Sequence, residues 1–395
     1  MTQEDPSHLP KQDHLGKQAE QTKKKEKEKH HEIAGKSFAV SLVFGLYLSA
    51  ALVLLTKSPA LWIIFMGLVG FSMIRTGKIS KWRSVMFIAI AWLFLFNKVF
   101  RGLIDVPIMV SYGEAFSGGE AQEVPDCHIA IGSSILNYGY QQYLAVKSGQ
   151  WSDWGPLSLG FLWIVVPLIF GRSWCSWGCF YGGLDEGFSR ILRRPLLRWF
   201  KLPGKIRDLP AAILLFMVLI SLTTMVPAFC LWVCPLKLTT EFLDPNDSVR
   251  KIQLAIFASL GVGAIVLIPV LTKKRLFCGL ICPFGAWQAL VGRINPFKVS
   301  IDSDKCTMCQ KCMRACPTFA ISKEDMDARS IGPYCNNCGE CIGDCPHEAI
   351  RYTVFSRDVR PSRKGTFFSE LLDPRDFFFF AYLLLGGAIG SLCLY

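Results

Sequence analysis

The sequence predicts an all-α polytopic membrane protein of six or seven transmembrane helices, with one small α+β domain near its C-terminal end. Three observations predict it. Hydrophobic residues make up 51% of the 395 residues, yet the formal charge is +12. Such values fit together when apolar residues are gathered in long uncharged runs and basic residues in the short segments between them, as in membrane proteins. The third observation is that most of the 16 cysteines stand at repeated short spacings instead of being scattered. That usage points to metal ligands rather than to a secreted disulfide scaffold.

The α+β domain is read from one spacing written twice. Cys306-x2-Cys309-x2-Cys312-x3-Cys316-Pro317 is followed by Cys335-x2-Cys338-x2-Cys341-x3-Cys345-Pro346. A cubane cluster needs four converging thiolates; a tight loop supplies three, and in the bacterial two-cluster arrangement the fourth comes from the other run. The spacing therefore assigns Cys306, Cys309, Cys312 and Cys345 to one [4Fe-4S] cluster, and Cys335, Cys338, Cys341 and Cys316 to a second. The runs also end alike, in Pro-Thr-Phe-Ala-Ile and Pro-His-Glu-Ala-Ile, so the domain is an internal repeat of bacterial-type 2[4Fe-4S] ferredoxin character. Zinc sites use pairs of cysteines and do not account for eight at this double spacing. His347 takes the place of Thr318 in the repeat and reads as an exposed loop residue.

Residues 1–36 are polar, with a Lys- and Glu-rich tract and almost nothing to bury, and read as a disordered basic cytoplasmic tail. Residues 37–104 hold the N-terminal membrane helices: a run from Ser37 to Thr56, a shorter one from Ala60 to Ile74, and a third from Ser84 to Phe96. The linker from Arg75 to Arg83 has four basic residues and no acidic one, which places it on the cytoplasmic side. At the end of the third run Asn97, Lys98 and Arg101 could meet a quinone head group, although snorkelling to the interface is the commoner reason for such residues. Residues 105–155 carry six acidic residues against one lysine and form the expected outer loop, with Cys127, His128, Trp151 and Trp154. Residues 156–299 hold three more spans, Pro156–Phe170, Leu209–Phe229 and Ile252–Leu271, and a basic segment after the first of them suited to anionic headgroups. The ferredoxin-type domain occupies 300–355, and 356–395 hold a basic linker and a last apolar run. Charge placement, rather than net charge, argues against nucleic acid as a partner.

Two further elements pair with each other. Arg172-Ser-Trp-Cys175-x3-Cys179-Phe-Tyr-Gly182 and Arg275-Leu-Phe-Cys278-x3-Cys282-Pro-Phe-Gly285 share basic, any, aromatic, Cys-x3-Cys, any, aromatic, Gly, and both follow a span that ends on the inner side. Cys175, Cys179, Cys278 and Cys282 brought together would hold a third [4Fe-4S] cluster; the bland alternative is two pairs of buried thiols.

These Cys-x3-Cys elements after membrane spans, followed by the two-cluster segment, resemble the NapH/NosR-type membrane polyferredoxins. The resemblance covers about residues 156–350. It implies electron transfer between the quinone pool, or another membrane donor, and a redox protein, and it carries a ligand role to Cys278, Cys282 and the eight ferredoxin-type cysteines. Phe180 stands where the family usually has proline. No site for covalently attached flavin is found, and no histidine lies within an expected span, so neither such a flavin nor a membrane haem is expected.

Cys230 and Cys234 repeat the Cys-x3-Cys-Pro element, but counting spans puts them on the opposite face from the other pairs. With Cys127 and Cys393 they could form an outer quartet for a fourth cluster, with His128 as a substitute ligand; an oxidising compartment would favour a disulfide instead. The whole reads as an electron-transfer subunit of an oxidoreductase in the inner membrane, a candidate quinol dehydrogenase, with lipid around it and a redox subunit such as a multihaem cytochrome or another ferredoxin docked outside. Two other readings stand beside it: a membrane reductase for metal-centre assembly or for a disulfide, acting through Cys230 and Cys234, and a redox-sensing regulator.

Overall fold

A computed structural model describes residues 35–96 except 57, 161–224 except 200 and 201, 228–235, 248–355 and 373–392, with a few isolated positions besides. Helix α1 (Phe38–Leu55) starts at Ser37, whose hydroxyl accepts from the Val40 amide and satisfies one of the donors left open at a helix start. Helix α2 (Ala60–Thr76) begins after Pro59 and ends at Gly77, whose φ of 67° is the left-handed conformation that closes helices. Helix α3 (Ile79–Phe94) follows at once. The basic linker expected over 75–83 is therefore only Gly77 and Lys78, because one glycine suffices for the turn. Arg75, Lys81 and Arg83 ride on helices, and Arg83 is fully buried.

The other principal helices are α4 (Phe180–Ser189), α5 (Leu209–Thr224), α6 (Lys251–Thr272), α7 (Pro283–Val291) and α8 (Pro374–Leu392). The middle of α6, Ser259–Leu267, runs in wider π-type turns. By length and composition α1 and α6 can cross a membrane; α2 and α5 are apolar but shorter. Two helices thus meet the criterion among the described residues, where the apolar runs suggest six or seven. Among its described residues the basic segment after Cys179 is helical in α4 and in Gly204–Arg207; past α4 the chain bends, leaving Ile191, Leu196 and Leu197 exposed.

Strand β1 (Phe297–Ile301) pairs antiparallel with β2 (Ile350–Val354), with Phe297 opposite Val354 and Ile301 opposite Ile350. The short β3 (Arg357–Asp358) follows β2, giving the order β1-β2-β3. Both cysteine runs lie between β1 and β2. Phe297 stacks on Tyr352 and on Phe378 of α8, with centroids 5.0 and 4.6 Å away, and Trp177 packs on Tyr382 at 4.8 Å. Such rings bury large apolar areas. They fix α8 against both the sheet and the first cysteine elbow.

A buried charge cluster makes the second junction. Glu186 of α4 accepts from Arg83 Nη1 and Nη2 at 2.8 and 2.7 Å, and lies 3.0 Å from Arg190 and 3.5 Å from Arg275. Burial pushes this carboxyl up, but Arg83 and Arg275 more than offset it and hold it well below the usual carboxylate range. Arg83 also donates to the carbonyls of Cys338 at 3.1 Å and Ser176 at 2.9 Å. One guanidinium thereby ties α3 to the ferredoxin-type domain and to the first elbow. Removing one member of a buried pair strands the other, at a cost of about 3–5 kcal/mol. Glu186→Gln should therefore lower the thermal unfolding temperature of the detergent-purified protein sharply. Arg190→Gln, at the exposed rim, should cost under about 1 kcal/mol. Equal losses would contradict this account of the junction.

Candidate iron-sulfur sites

The two cysteine runs fold alike residue by residue. Met308 and Gln310 in the first have positive φ, as do Asn337 and Gly339 in the second; Phe319 and Glu348, three residues after Cys316 and Cys345, match again. Left-handed residues at such intervals curl a loop and turn successive amides toward its centre, which suits an anionic group. Two N–H···S bonds repeat as well: Ala320 donates to Cys316 Sγ at 3.2 Å and Ala349 to Cys345 Sγ at 3.3 Å.

Cys306, Cys309, Cys312 and Cys345 line one cavity, with Ile301, Met326 and His347 beside them. Cys345 comes from the other run, as the two-cluster spacing requires. Burial, then the neighbouring charges of Cys345, Cys309 and Cys306, pushes the Cys312 thiol up to about 11. Cys341 is raised first by burial and then by Cys338, Cys335 and Cys316. Cys309 is the exposed member, and His347 is exposed, as read from its position.

The second set of four is also brought together. Cys175, Cys179, Cys278 and Cys282 are all buried. Burial raises Cys179, and Cys175 and Cys282 raise it further; Cys278 feels both Cys179 and Cys175. The two elbows hold each other by exchange of their arginines. Arg172 of the first donates Nη2 to the Cys278 carbonyl of the second, and Arg275 of the second donates Nη2 to the Cys175 carbonyl of the first at 2.6 Å. The motif glycines make room for this crossing. A Cβ on Gly182 would stand 2.6 Å from Arg275 Nη2, and one on Gly285 would stand 2.5 Å from Arg172 Nη2. The shared basic and glycine positions of the sequence pattern are thus one device. Gln288, whose Oε1 accepts from Cys175 Sγ at 3.2 Å, carried no signal in the sequence.

Among the described residues no three Cys, His, Asp or Glu side chains stand close enough to share a single metal ion. All-cysteine donor sets, with backbone amides donating to the Cys316 and Cys345 sulfurs, fit [4Fe-4S] chemistry, and the bound group would supply one-electron transfer.

Cys234 is not remote from the other pairs. Its Sγ lies 3.4 Å from the Tyr181 hydroxyl, two residues past Cys179, and it packs on the apolar cluster that contains Cys179, Cys278 and Cys282. The contact joins Cys234 to the first elbow, a proximity that span counting did not anticipate. Cys127, His128, Cys393, Asn97, Lys98 and Arg101 lie outside the described residues, and the side chain of Cys230 is likewise outside them.

Comparison with known proteins agrees with this geometry. A family described as 4Fe-4S binding domain matches three times, at residues 153–198, 209–252 and 254–301, and one described as 4Fe-4S dicluster domain matches residues 298–346. The middle match encloses Cys230 and Cys234, making them a third copy of the element. YccM of Escherichia coli (strain K12) is 27% identical over 46% of this chain and 51% of its own length. The ferredoxin-type protein NapH of Haemophilus influenzae is 25% identical over 48% of this chain and 65% of its own, and the regulatory protein NosR of Stutzerimonas stutzeri is 26% identical over 45% and 25%. The chain therefore spans about half the length of YccM and a quarter of NosR. No solved structure matches it. With multiple [4Fe-4S] clusters, a repeated Cys-x3-Cys framework and a two-cluster segment, the chain is a polyferredoxin similar to NapH and NosR.

Proposed function

We propose that the chain is a membrane electron relay with three clusters in series. Cys306, Cys309, Cys312 and Cys345 hold the first, Cys335, Cys338, Cys341 and Cys316 the second, and Cys175, Cys179, Cys278 and Cys282 the third. The observation that carries this reading is the direct contact between the last two sites. Lys274 Nζ donates to the carbonyls of Arg314 and Cys316 at 2.7 and 2.6 Å, and the Arg275 amide donates to Pro317 O at 2.8 Å. Arg172 reaches Tyr334 O at 2.9 Å, next to Cys335. No solvent layer or flexible tether separates the ferredoxin-type domain from the elbows at these contacts. In this reading the chain crosses the membrane six or seven times with its N-terminus and ferredoxin-type domain inside, and residues 105–155 dock a redox subunit outside. The quinone pool, or another membrane donor, exchanges electrons with the third cluster.

A second reading is favoured by the Tyr181–Cys234 contact. Cys230 and Cys234 would then be the terminus of the relay, a thiol pair that passes electrons to a metal or a disulfide.

Anaerobically purified protein should contain about twelve irons and as many acid-labile sulfides per chain, counted as three cubanes. Cys278→Ser should lower iron to about eight while leaving the paired-cluster EPR spectrum of the ferredoxin-type domain. Eight irons in the unmodified protein would remove the third cluster; about sixteen would add an outer one. Cys234→Ser separates the remaining readings. If Cys234 is a terminal thiol, iron content stays at the wild-type value and electron delivery to a disulfide acceptor is lost. Loss of four irons would make it a cluster ligand.

A further inference from the structure

Between the second and third cluster sites lies a cavity of about 380 Å³ that the relay does not use. Its wall contains Arg172, Gln288, Arg293, Asn295, Lys298 and Cys335, and no Asp or Glu. Two of its groups are left over. Arg172 Nε and Gln288 Nε2 are buried with no hydrogen-bond partner, and both are donors. Buried donors of this kind are costly unless something accepts from them. Three cations and unspent N–H groups, with no carboxylate facing them, select an anion.

The cavity also has a neighbour. An apolar groove of about 510 Å³ runs between α5 and α7, lined by Leu214, Leu215, Val218, Trp287 and Leu290. Ala289, Arg293 and Pro333 belong to both walls. A polar, cationic chamber therefore adjoins a greasy one across a single partition. That pairing fits a molecule with an anionic head and a hydrocarbon tail.

We propose that this two-part site binds an anionic phospholipid, with its phosphate in the cavity and an acyl chain in the groove. The proposal rests on the reading of the chain as a membrane relay. Basic pockets between membrane helices on the inner side are a known way of holding such headgroups. Arg293 and Lys298, both exposed, form the entrance; Arg172 and Gln288 form the floor. Cys335 lines the cavity, and Gln288 touches Cys175, so the phosphate lies beside ligands of two clusters. A negative charge there opposes addition of an electron, so the lipid lowers the reduction potential of the flanking clusters.

The test uses the full chain, purified anaerobically, delipidated in detergent and titrated with phosphatidylglycerol, phosphatidylcholine or inorganic phosphate. Binding is followed by native mass spectrometry and the cluster potentials by EPR-monitored redox titration. Phosphatidylglycerol should bind, and the double variant Arg293→Gln with Lys298→Gln should bind it roughly 30-fold more weakly, from the loss of two basic side chains. The potential of the flanking clusters should fall on addition of phosphatidylglycerol to the wild type and stay unchanged in the variant. Equal binding of phosphatidylcholine, wild-type affinity in the variant, binding of inorganic phosphate in place of the lipid, or displacement of the lipid by a short-chain quinone would each overturn the proposal. Mass spectrometry reads the lipid whether or not the clusters are redox-active, so failure of the relay reading is seen separately, in iron content and EPR.

Discussion

Glu186 is the residue on which the assembly depends. A single carboxylate with 3% of its surface exposed faces Arg83, Arg190 and Arg275, and each of these arginines belongs to a different part of the structure. Arg83 comes from α3 and continues to the Cys338 carbonyl; Arg275 opens the second elbow and continues to the Cys175 carbonyl. Charge buried this deeply is tolerated only when paired and hydrogen-bonded on every side. The positions of α3, both elbows and the second cysteine run are consequently coupled. A shift of any one leaves a guanidinium or the carboxylate short of partners.

The pseudo-symmetric elbows show why arginine and glycine recur in the pattern. A guanidinium offers five donors in a fixed fork, so one side chain can cap a carbonyl on the opposite elbow and still reach a second acceptor. Arg172 does this with Cys278 O and Tyr334 O, and Arg275 with Cys175 O and Glu186. Lysine could make each contact singly but not hold the plane. The glycines follow from the same geometry, since a methyl at Gly182 would also meet the Cys175 carbonyl at 2.4 Å. Each half of the repeat thus carries the residues needed by the other half.

Much of this was legible in the chain. The spacing groups Cys345 with Cys306, Cys309 and Cys312, because it encodes the exchange of the fourth residue between runs, and these four line one cavity. The Cys-x3-Cys elbows were legible as a pair because the whole pattern repeats, basic residue and glycine included. Proximity was harder to read. Counting apolar runs separates Cys234 from the other pairs, whereas its sulfur lies against Tyr181, two residues from Cys179. Arg83 was read as a loop cation because a linear charge count cannot see a carboxylate 103 residues away. Gln288 and the junction of Lys274 with Cys316 O are tertiary facts with no local signature.

The thiols explain why the cofactor and the fold belong to one equilibrium. Burial pushes Cys282, Cys335 and Cys338 up to about 12, and like-charged neighbours add to the shift in each quartet. Four thiolates at such a site need positive charge beyond what the chain provides: Arg172 helps Cys282 and Cys335, and Arg83 helps Cys338, but none offsets burial. A bound cluster would supply that charge, and its binding free energy would then also be free energy of folding around it. The amides of Ala320 and Ala349 would in that case act on ligand sulfurs. Hydrogen bonds to ligand sulfur are one of the levers that set cluster potential, and the repeat places one at the equivalent cysteine of each run. With that lever matched, any difference between the two potentials comes from the surroundings. Cys309 of the first quartet is exposed, while Arg83, Arg172 and Lys274 reach the backbone around the second.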